Sequence, residues 1–176
     1  MRGKRCTLVH PTAEDREEFL RLVRVSRDLH RPWVHPPATP RQYAQYLEKS
    51  RTERYRGFFL RDRQAGAIAG VFELGEIARG ILQSAFLGFY AMAPHAGRGF
   101  MHEGLALVVQ HAFRDLKLHR LEANIQPGNA RSIALVKRSG FLKEGFSPRY
   151  LKIGGRWRDH QRWAILQEDW RSSRRR

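Results

Sequence analysis

Three short constellations bring together residue types that can do chemistry. In the first, Gly97 and Gly99 bracket Arg98 in Ala96-Gly97-Arg98-Gly99-Phe100-Met101, between an apolar run and a helical pattern. Glycine opens backbone conformations closed to other residues and lets a ligand approach the main chain, while the first N–H groups of a following helix lack intrahelical partners. That combination holds an anion such as a pyrophosphate, so a nucleotide-bearing cofactor is expected; a plain glycine-containing turn is the alternative. In the second, Asn129 and Ser132 stand three residues apart at the start of a short amphipathic segment. In the third, Glu122 and Asn124 are two apart and share one face of a strand. A carboxylate there can take a proton through water, or simply pair with an arginine. The eight histidines show no zinc-like spacing, so no metal is expected, and Cys6 lacks the setting of a nucleophile.

Each constellation needs elements to hold it. Residues 85–90 read as a mostly buried strand, ended before Pro94, which cannot donate to a ladder. Leu105, Val108, Val109, Ala112, Phe113 and Leu116 recur at three- and four-residue spacing and predict an amphipathic helix over about 101–116, its N-terminus at the glycine loop. Residues 121–125 predict a strand broken by Pro127-Gly128; Asn129 is then a natural N-cap and Gly140 a natural C-cap of a short helix with Lys137 and Arg138 at its cation-favouring end. Thr12 with Asp15, and Thr39 with Pro40 and Gln42, predict helices near 12–29 and 40–50, with residues 33–37 as the break. Residues 58–60 and 68–72 flank 62–66, and residues 150–153 and 156–166 flank Gly154-Gly155; both pairs predict hairpins. If the first hairpin continues regularly, Glu73 shares a face with Val71. The order predicts an α/β sandwich.

With these elements in this order the chain resembles the GNAT N-acetyltransferases, and within them the RimJ/RimL type that acetylates protein N-termini. The superfamily loop has the form Gln/Arg-x-x-Gly-x-Gly/Ala; here Gly99 matches, whereas Ala96 and Met101 depart from it. Residues 30–37, 97–105, 119–141 and 144–160 look similar to RimJ-like relatives, so the resemblance runs from His30 to His160. It implies a mixed, mostly antiparallel sheet, splayed where acetyl-CoA binds and flanked by helices. It also implies that Phe89, Tyr90, Ala91 and Met92 offer backbone groups to the pantetheine and acetyl carbonyl, and that Gly97, Arg98, Gly99, Phe100 and Met101 hold the pyrophosphate. Asn129 and Ser132 match positions beside the pantetheine and thiol. Many members carry a tyrosine one helical turn after Ser132; here that position is Val136, which makes Ser132 or a water the candidate donor to the sulfur, unless Ser132 only caps the helix. A carboxylate that RimL-like relatives place before Tyr-Leu is Arg149 here, before Tyr150-Leu151, so that role does not carry over. The acceptor channel is expected beside residues 30–37, with Trp33 as a flat apolar wall and Pro36 stiffening the loop; Asn124, Tyr150 and Asp159, with His160, are further candidate contacts.

Composition bounds the rest. A chain of 176 residues, 41% hydrophobic, can bury a core but is short for two ordinary domains, so one domain over 1–170 is expected, with a basic disordered tail at 171–176. A single cysteine excludes an internal disulfide, no apolar run reaches the roughly 18 residues of a membrane span, and the first ten residues hold no signal-peptide core; a cytoplasmic location is expected. The net charge of +16, from 33 Lys and Arg against 17 Asp and Glu, fits a polyanionic partner such as ribosomal RNA, or solvated basic faces alone. The favoured reading is an acetyl-CoA-dependent N-acetyltransferase acting on the N-terminal amine of a protein, a ribosomal one for choice. An α-amine with pKa near 8 is about a tenth neutral at pH 7, against a few parts per ten thousand for lysine, so a site without a strong base leans to a terminus. Acetylation of a small amine, such as an antibiotic or amino acid, is the alternative, and a non-catalytic RNA- or ribosome-associated module the third; the acceptor and the choice between monomer and homodimer stay open.

Overall fold

The computed structural model describes residues 1–173. A short edge strand, β1 (Cys6–Val9), leads through a 3-10 turn (Ala13–Asp15) into α1 (Arg16–Val25), α2 (Arg27–His30) and α3 (Pro40–Lys49). The chain then runs up and down through β2 (Arg56–Asp62), β3 (Ile68–Ala78) and β4 (Ser84–Ala91). There follow α4 (Phe100–Arg114), β5 (Arg120–Ile125), α5 (Ala130–Arg138), the long hairpin β6 (Leu142–Ile153) and β7 (Arg156–Leu166), and α6 (Gln167–Ser173). The strands form one sheet in the order β1-β2-β3-β4-β5-β7-β6. Its ladders are antiparallel except β4 with β5.

Helices cover both faces, and the central strands show why their sequence is continuously apolar rather than alternating. Phe58, Leu60, Phe72 and Leu74 join Leu105, Val108 and Phe113 of α4 in one core. Phe59, Val71 and Tyr90 join Phe19, Tyr43 and Tyr46 of α1 and α3 in the other. In the middle of the sheet β4 and β5 pair only at Ser84↔Arg120, Ala85↔Leu121 and Phe86↔Glu122. Beyond Phe86 the two strands part and leave a wedge between them.

The two hairpins, the glycine-loop helix and the Asn129-capped helix lie where the sequence predicts them, but three boundaries differ for local reasons. The helix expected over 12–29 divides at Ser26, whose hydroxyl oxygen accepts from the Ala93 amide at 2.8 Å and sits 3.9 Å from Met92 Sδ. A side chain held by the loop before α4 leaves Ser26 at φ −97°, ψ 7°, off the helical backbone. β1 has no counterpart in the sequence expectations; four residues are too few for a period to stand out, and pairing with β2 defines it. At the C-terminus, residues 171–173 belong to α6 rather than to a tail, because Trp170 packs on Phe113 at 5.6 Å; residues 174–176 of that expected tail lie outside the described residues. Among the described residues no helix is long and apolar enough to cross a membrane.

Candidate active site

The wedge exposes backbone that a sheet would otherwise use. In an antiparallel ladder the N–H and C=O of alternate residues turn to alternate neighbours. Met92 N donates to Ala69 O at 2.9 Å, so the even-numbered residues of β4 address β3 and the odd-numbered ones face β5. Ala91 O agrees: it accepts from His30 Nε2 at 2.8 Å on the β5 side. With β5 gone beyond Phe86, Leu87, Phe89 and the Ala91 amide open into the wedge. This corrects the expectation for four strand residues. Tyr90 and Met92 turn their backbone to β3 and bury their side chains beneath α1 and α3, leaving Phe89 and Ala91 as the open pair.

At the end of β4 the glycine loop has the backbone its sequence demands. Gly97 and Gly99 hold φ +75° and +83°, a left-handed region that other residues adopt at a cost, and Gly99 is the N-cap of α4. A Cβ at Gly97 would meet nothing within 4 Å. The loop is braced from β1: Arg5 Nη1 donates to Arg98 O at 3.0 Å, and Glu103 accepts from the Arg5 amide at 2.8 Å and the Cys6 amide at 3.3 Å. The guanidiniums of Arg5 and Arg98 flank the Phe100 ring at 5.0 and 5.4 Å. Free first-turn N–H groups, two guanidiniums and open space make a site for a diphosphate. Phe100 is buried and Met101 packs against Gly70, so these two can offer a ligand only backbone. Burial and the neighbouring Glu103 push the Cys6 thiol up to about 12, which removes it as a nucleophile.

On the far side of the wedge, Asn129 Oδ1 accepts from Ser132 N at 3.2 Å and so caps α5 itself. The Ser132 hydroxyl has no hydrogen-bond partner among the described residues, and it is half-buried. Val136, one turn on, is fully buried. Of the two roles open to Glu122, water-mediated base or arginine partner, the structure shows the second: Arg120 Nε lies 2.9 Å from it, and Arg120 also binds Glu144 through both terminal nitrogens. That network ties Glu122 Oε1 to Arg120 and gives the carboxylate a structural partner.

A different carboxylate is better placed. β3 pairs regularly through Glu73↔Gly88, and its register slips only after Gly75, so Glu73 does share a face with Val71. Its Oε2 lies 3.4 Å from where a Cβ would stand on residue 88, and the glycine there lets the carboxylate reach across β4 toward the wedge. Burial pushes the Glu73 carboxyl up, with the Tyr55 hydroxyl as a hydrogen-bonding neighbour and the Lys49 charge acting the other way. The Tyr46 and Tyr90 hydroxyls nearby are buried without partners among the described residues. Across the wedge, Asn124 Oδ1 is likewise buried and unpartnered. Only the pairing register brings Glu73 opposite Gly88; nothing along the chain connects the two positions.

The loop of residues 31–38 roofs this region. Gln126 Nε2 donates to Trp33 O at 3.4 Å, and the Trp33 indole sits 3.1 Å from where a Gly128 Cβ would be, so the loop spans from α2 to the end of β5. Pro36 and Val34, with Leu20 and Val23 of α1, line a depression of about 280 Å³ beneath it. His30 is buried with Nδ1 unpartnered and its ring edge-on to Tyr90 at 5.1 Å. Tyr150 meets His160 at 6.2 Å, and burial holds the His160 imidazole below its usual pKa. Asp159 also departs from expectation: it alternates to the other face from His160, and its Oδ1 accepts from the Arg149 amide at 2.7 Å.

The chain is similar to known proteins in sequence and in fold. Residues 5–142 match the acetyltransferase (GNAT) domain family. "Probable N-acetyltransferase YjcK" of Bacillus subtilis (strain 168) is 41% identical over 128 residues, 73% of this chain and 69% of that one. The "[Ribosomal protein uS5]-alanine N-acetyltransferase" of Escherichia coli (strain K12) is 37% identical over 117 residues, 66% of this chain but only 60% of that enzyme's length. Spermidine N(1)-acetyltransferase of Vibrio cholerae is 31% identical over 112 residues, 64% of each chain. Among solved structures, Mycobacterium smegmatis RimJ in complex with CoA-disulfide superposes with a TM-score of 0.85 at 27% identity, covering 93% of this chain and 83% of that one. The split sheet, the diphosphate-ready loop and these matches agree: the chain belongs to the GNAT family of N-acetyltransferases, for which acetyl-CoA is the cosubstrate.

Proposed function

We propose that the protein acetylates the N-terminal α-amine of a protein, a ribosomal protein in the first instance, by direct attack of the amine on acetyl-CoA in a ternary complex in the cytoplasm. The observation that carries the acceptor is the 37% identity to an enzyme named for the alanine terminus of ribosomal protein uS5. Acetyl-CoA supplies an acyl group already activated as a thioester. Arg5, Arg98 and the first-turn amides of α4 receive the diphosphate, and the backbone of Phe89 and Ala91 takes the pantetheine arm as a further strand would. The amine enters under residues 31–38, on the face that carries Glu73 and Asn124. As the C–N bond forms, Glu73 takes the amine proton directly or through water; as the C–S bond breaks, the Ser132 hydroxyl gives a proton to the sulfur and regains one from solvent. Asn124 Oδ1, buried and unpartnered, accepts a hydrogen bond that orients the incoming amine or the pantetheine amide.

The decisive experiment follows thiol release from acetyl-CoA with three acceptor sets: peptides with free N-termini, the same peptides N-blocked but carrying lysine, and small amines. Release with free termini alone is the expected result. Release with small amines alone would replace this reading with the alternative that the spermidine-acetylating relative favours. Coenzyme binding with no release from any acceptor would leave a binding module.

A further inference from the structure

Beside residues 31–38, where the reading above has the acceptor enter, the lining of the surface has one sign of charge. The depression beneath residues 31–38 is lined by Arg24, Arg27, Arg31 and His35 among apolar residues. A second one of about 240 Å³ adjoins it through the shared Arg31 and His35, and is closed by Arg156 and Arg158 at the β6–β7 turn. No carboxylate lines either one. Among the described residues none of these five guanidiniums is in an ion pair. Arg158 is half-buried with Nε unpartnered, and it is on the same face of β7 as His160. Five cations with no carboxylate among them line two side-chain-sized hollows, and an incoming anionic side chain meets a positive potential there.

We propose that the acceptor carries acidic groups close to its reacting amine, so that, on the N-terminal reading above, the preferred substrate is a protein terminus with Asp or Glu within its first few residues, seated on Arg31, Arg156 and Arg158. Hollows of this size take individual side chains, whereas a nucleic-acid backbone needs a continuous groove. The same charge repels a polyamine. Specificity here is as much rejection of cationic amines as attraction of acidic ones.

The test measures kcat/KM for thiol release with peptides of free N-terminus that differ only in carrying Asp/Glu, Asn/Gln or Lys/Arg at positions 2–5. It adds two small amines, free aspartate and spermidine. The expected order is acidic above neutral above basic, with a span of roughly tenfold or more at low salt that narrows as salt rises. The double variant Arg31→Glu/Arg156→Glu alters exposed side chains; it should invert the order while acetyl-CoA affinity and the melting temperature hold. Reversal at the remote Arg51 and Arg171 should leave the order as it was. Equal rates, a preference for basic peptides, or an order indifferent to the Arg31/Arg156 reversal would overturn the proposal. An RNA fragment that competes with acetyl-CoA-independent peptide binding at these two arginines, while peptide charge has no effect, would overturn it in favour of nucleic acid. If no peptide reacts but free aspartate outperforms spermidine, the N-terminal reading fails and the acidic-acceptor inference survives; if spermidine wins, the inference fails with it.

Discussion

At the scale of single residues, the two ends of the reaction can be separated because each rests on a side chain with a distinct structural role or none. Asn129 caps α5 through the Ser132 amide, while the Ser132 hydroxyl takes no part in the cap. Asn129→Ala should therefore cost about 1 kcal/mol of stability, read as a lower melting temperature. Ser132→Ala should leave melting unchanged and lower kcat with acetyl-CoA affinity intact, which calorimetry and thiol release measure side by side; an equal fall in stability would return Ser132 to a structural role. Glu73 is testable through pH. A base must be ionised, and burial raises the pH at which this one ionises, so activity climbs with pH as both Glu73 and the acceptor amine lose protons. The groups facing Glu73 are Tyr46 and Lys49 of α3, Tyr55 before β2 and Tyr90 of β4, and the tyrosines stay protonated across that range because burial raises them all. Glu73→Gln should lower kcat about a hundredfold, and its profile should keep only the limb of the amine near pH 8. An unchanged acidic limb in that variant would move the proton to water alone. The sign for stability runs the other way: a raised carboxyl pKa favours the folded state at acid pH and costs stability as pH rises through it, so Glu73→Gln should be the more stable protein above neutrality.

Among the elements, the loop before α4, proposed above to receive the diphosphate, is held from three sides: Arg5 on Arg98 O, Glu103 on the β1 amides, and Ser26 on the Ala93 amide. Gly99→Val would force a β-branched residue to φ +83° and bring its Cβ within 3.0 Å of Arg5 Nη2. The expected outcome is a loss of about 1–3 kcal/mol in stability together with a clear weakening of acetyl-CoA binding; undiminished affinity by calorimetry would remove the loop from the site. This loop was legible in the sequence because strand, proline, paired glycines and a long amphipathic helix are all local signals. So were both hairpins and the Asn129-to-Gly140 helix. What stayed hidden depends on contacts between distant segments. Ser26 breaks a helix that its own periodicity favours, since its partner is 67 residues away. The alternation that opens Phe89 and Ala91 but closes Tyr90 and Met92 follows from which strand pairs with β4, and on which side. Two carboxylates meet the same limit from opposite directions. For Glu122 the sequence leaves open a base or the partner of an arginine, and the fold selects the second by adding Glu144 from β6 to the neighbouring Arg120. Glu73 has nothing in its neighbours along the chain to mark it, and only strand pairing puts Gly88 opposite.

For the molecule as a whole, a net charge of +16 exceeds what one diphosphate and one acidic terminus can neutralise. The five arginines at the acceptor mouth account for part of it, and the remainder is spread over exposed faces such as Arg2, Arg51 and Arg171, away from the wedge. Two uses of positive charge are then separable. On the proposed function the mouth would act at short range on the acceptor, while the dispersed faces would act at long range on a polyanion such as ribosomal RNA and bring the enzyme near a ribosomal-protein terminus. The separation predicts two different responses to one variant. Wild-type protein and Arg31→Glu/Arg156→Glu should both bind a ribosomal-RNA oligonucleotide at low salt, with log affinity falling linearly in log salt by about a hundredfold between roughly 50 and 200 mM, and neither should release thiol in its presence alone. Peptide kcat/KM should change between the two proteins while RNA affinity changes by little, because reversing two of 33 basic residues barely alters the summed field. Binding that vanished with the Arg31/Arg156 reversal would mean that RNA and acceptor share the mouth; binding absent even at about 50 mM salt would reduce the dispersed charge to solvated surface, leaving the acceptor's own acidity as the one partner the basic chain selects.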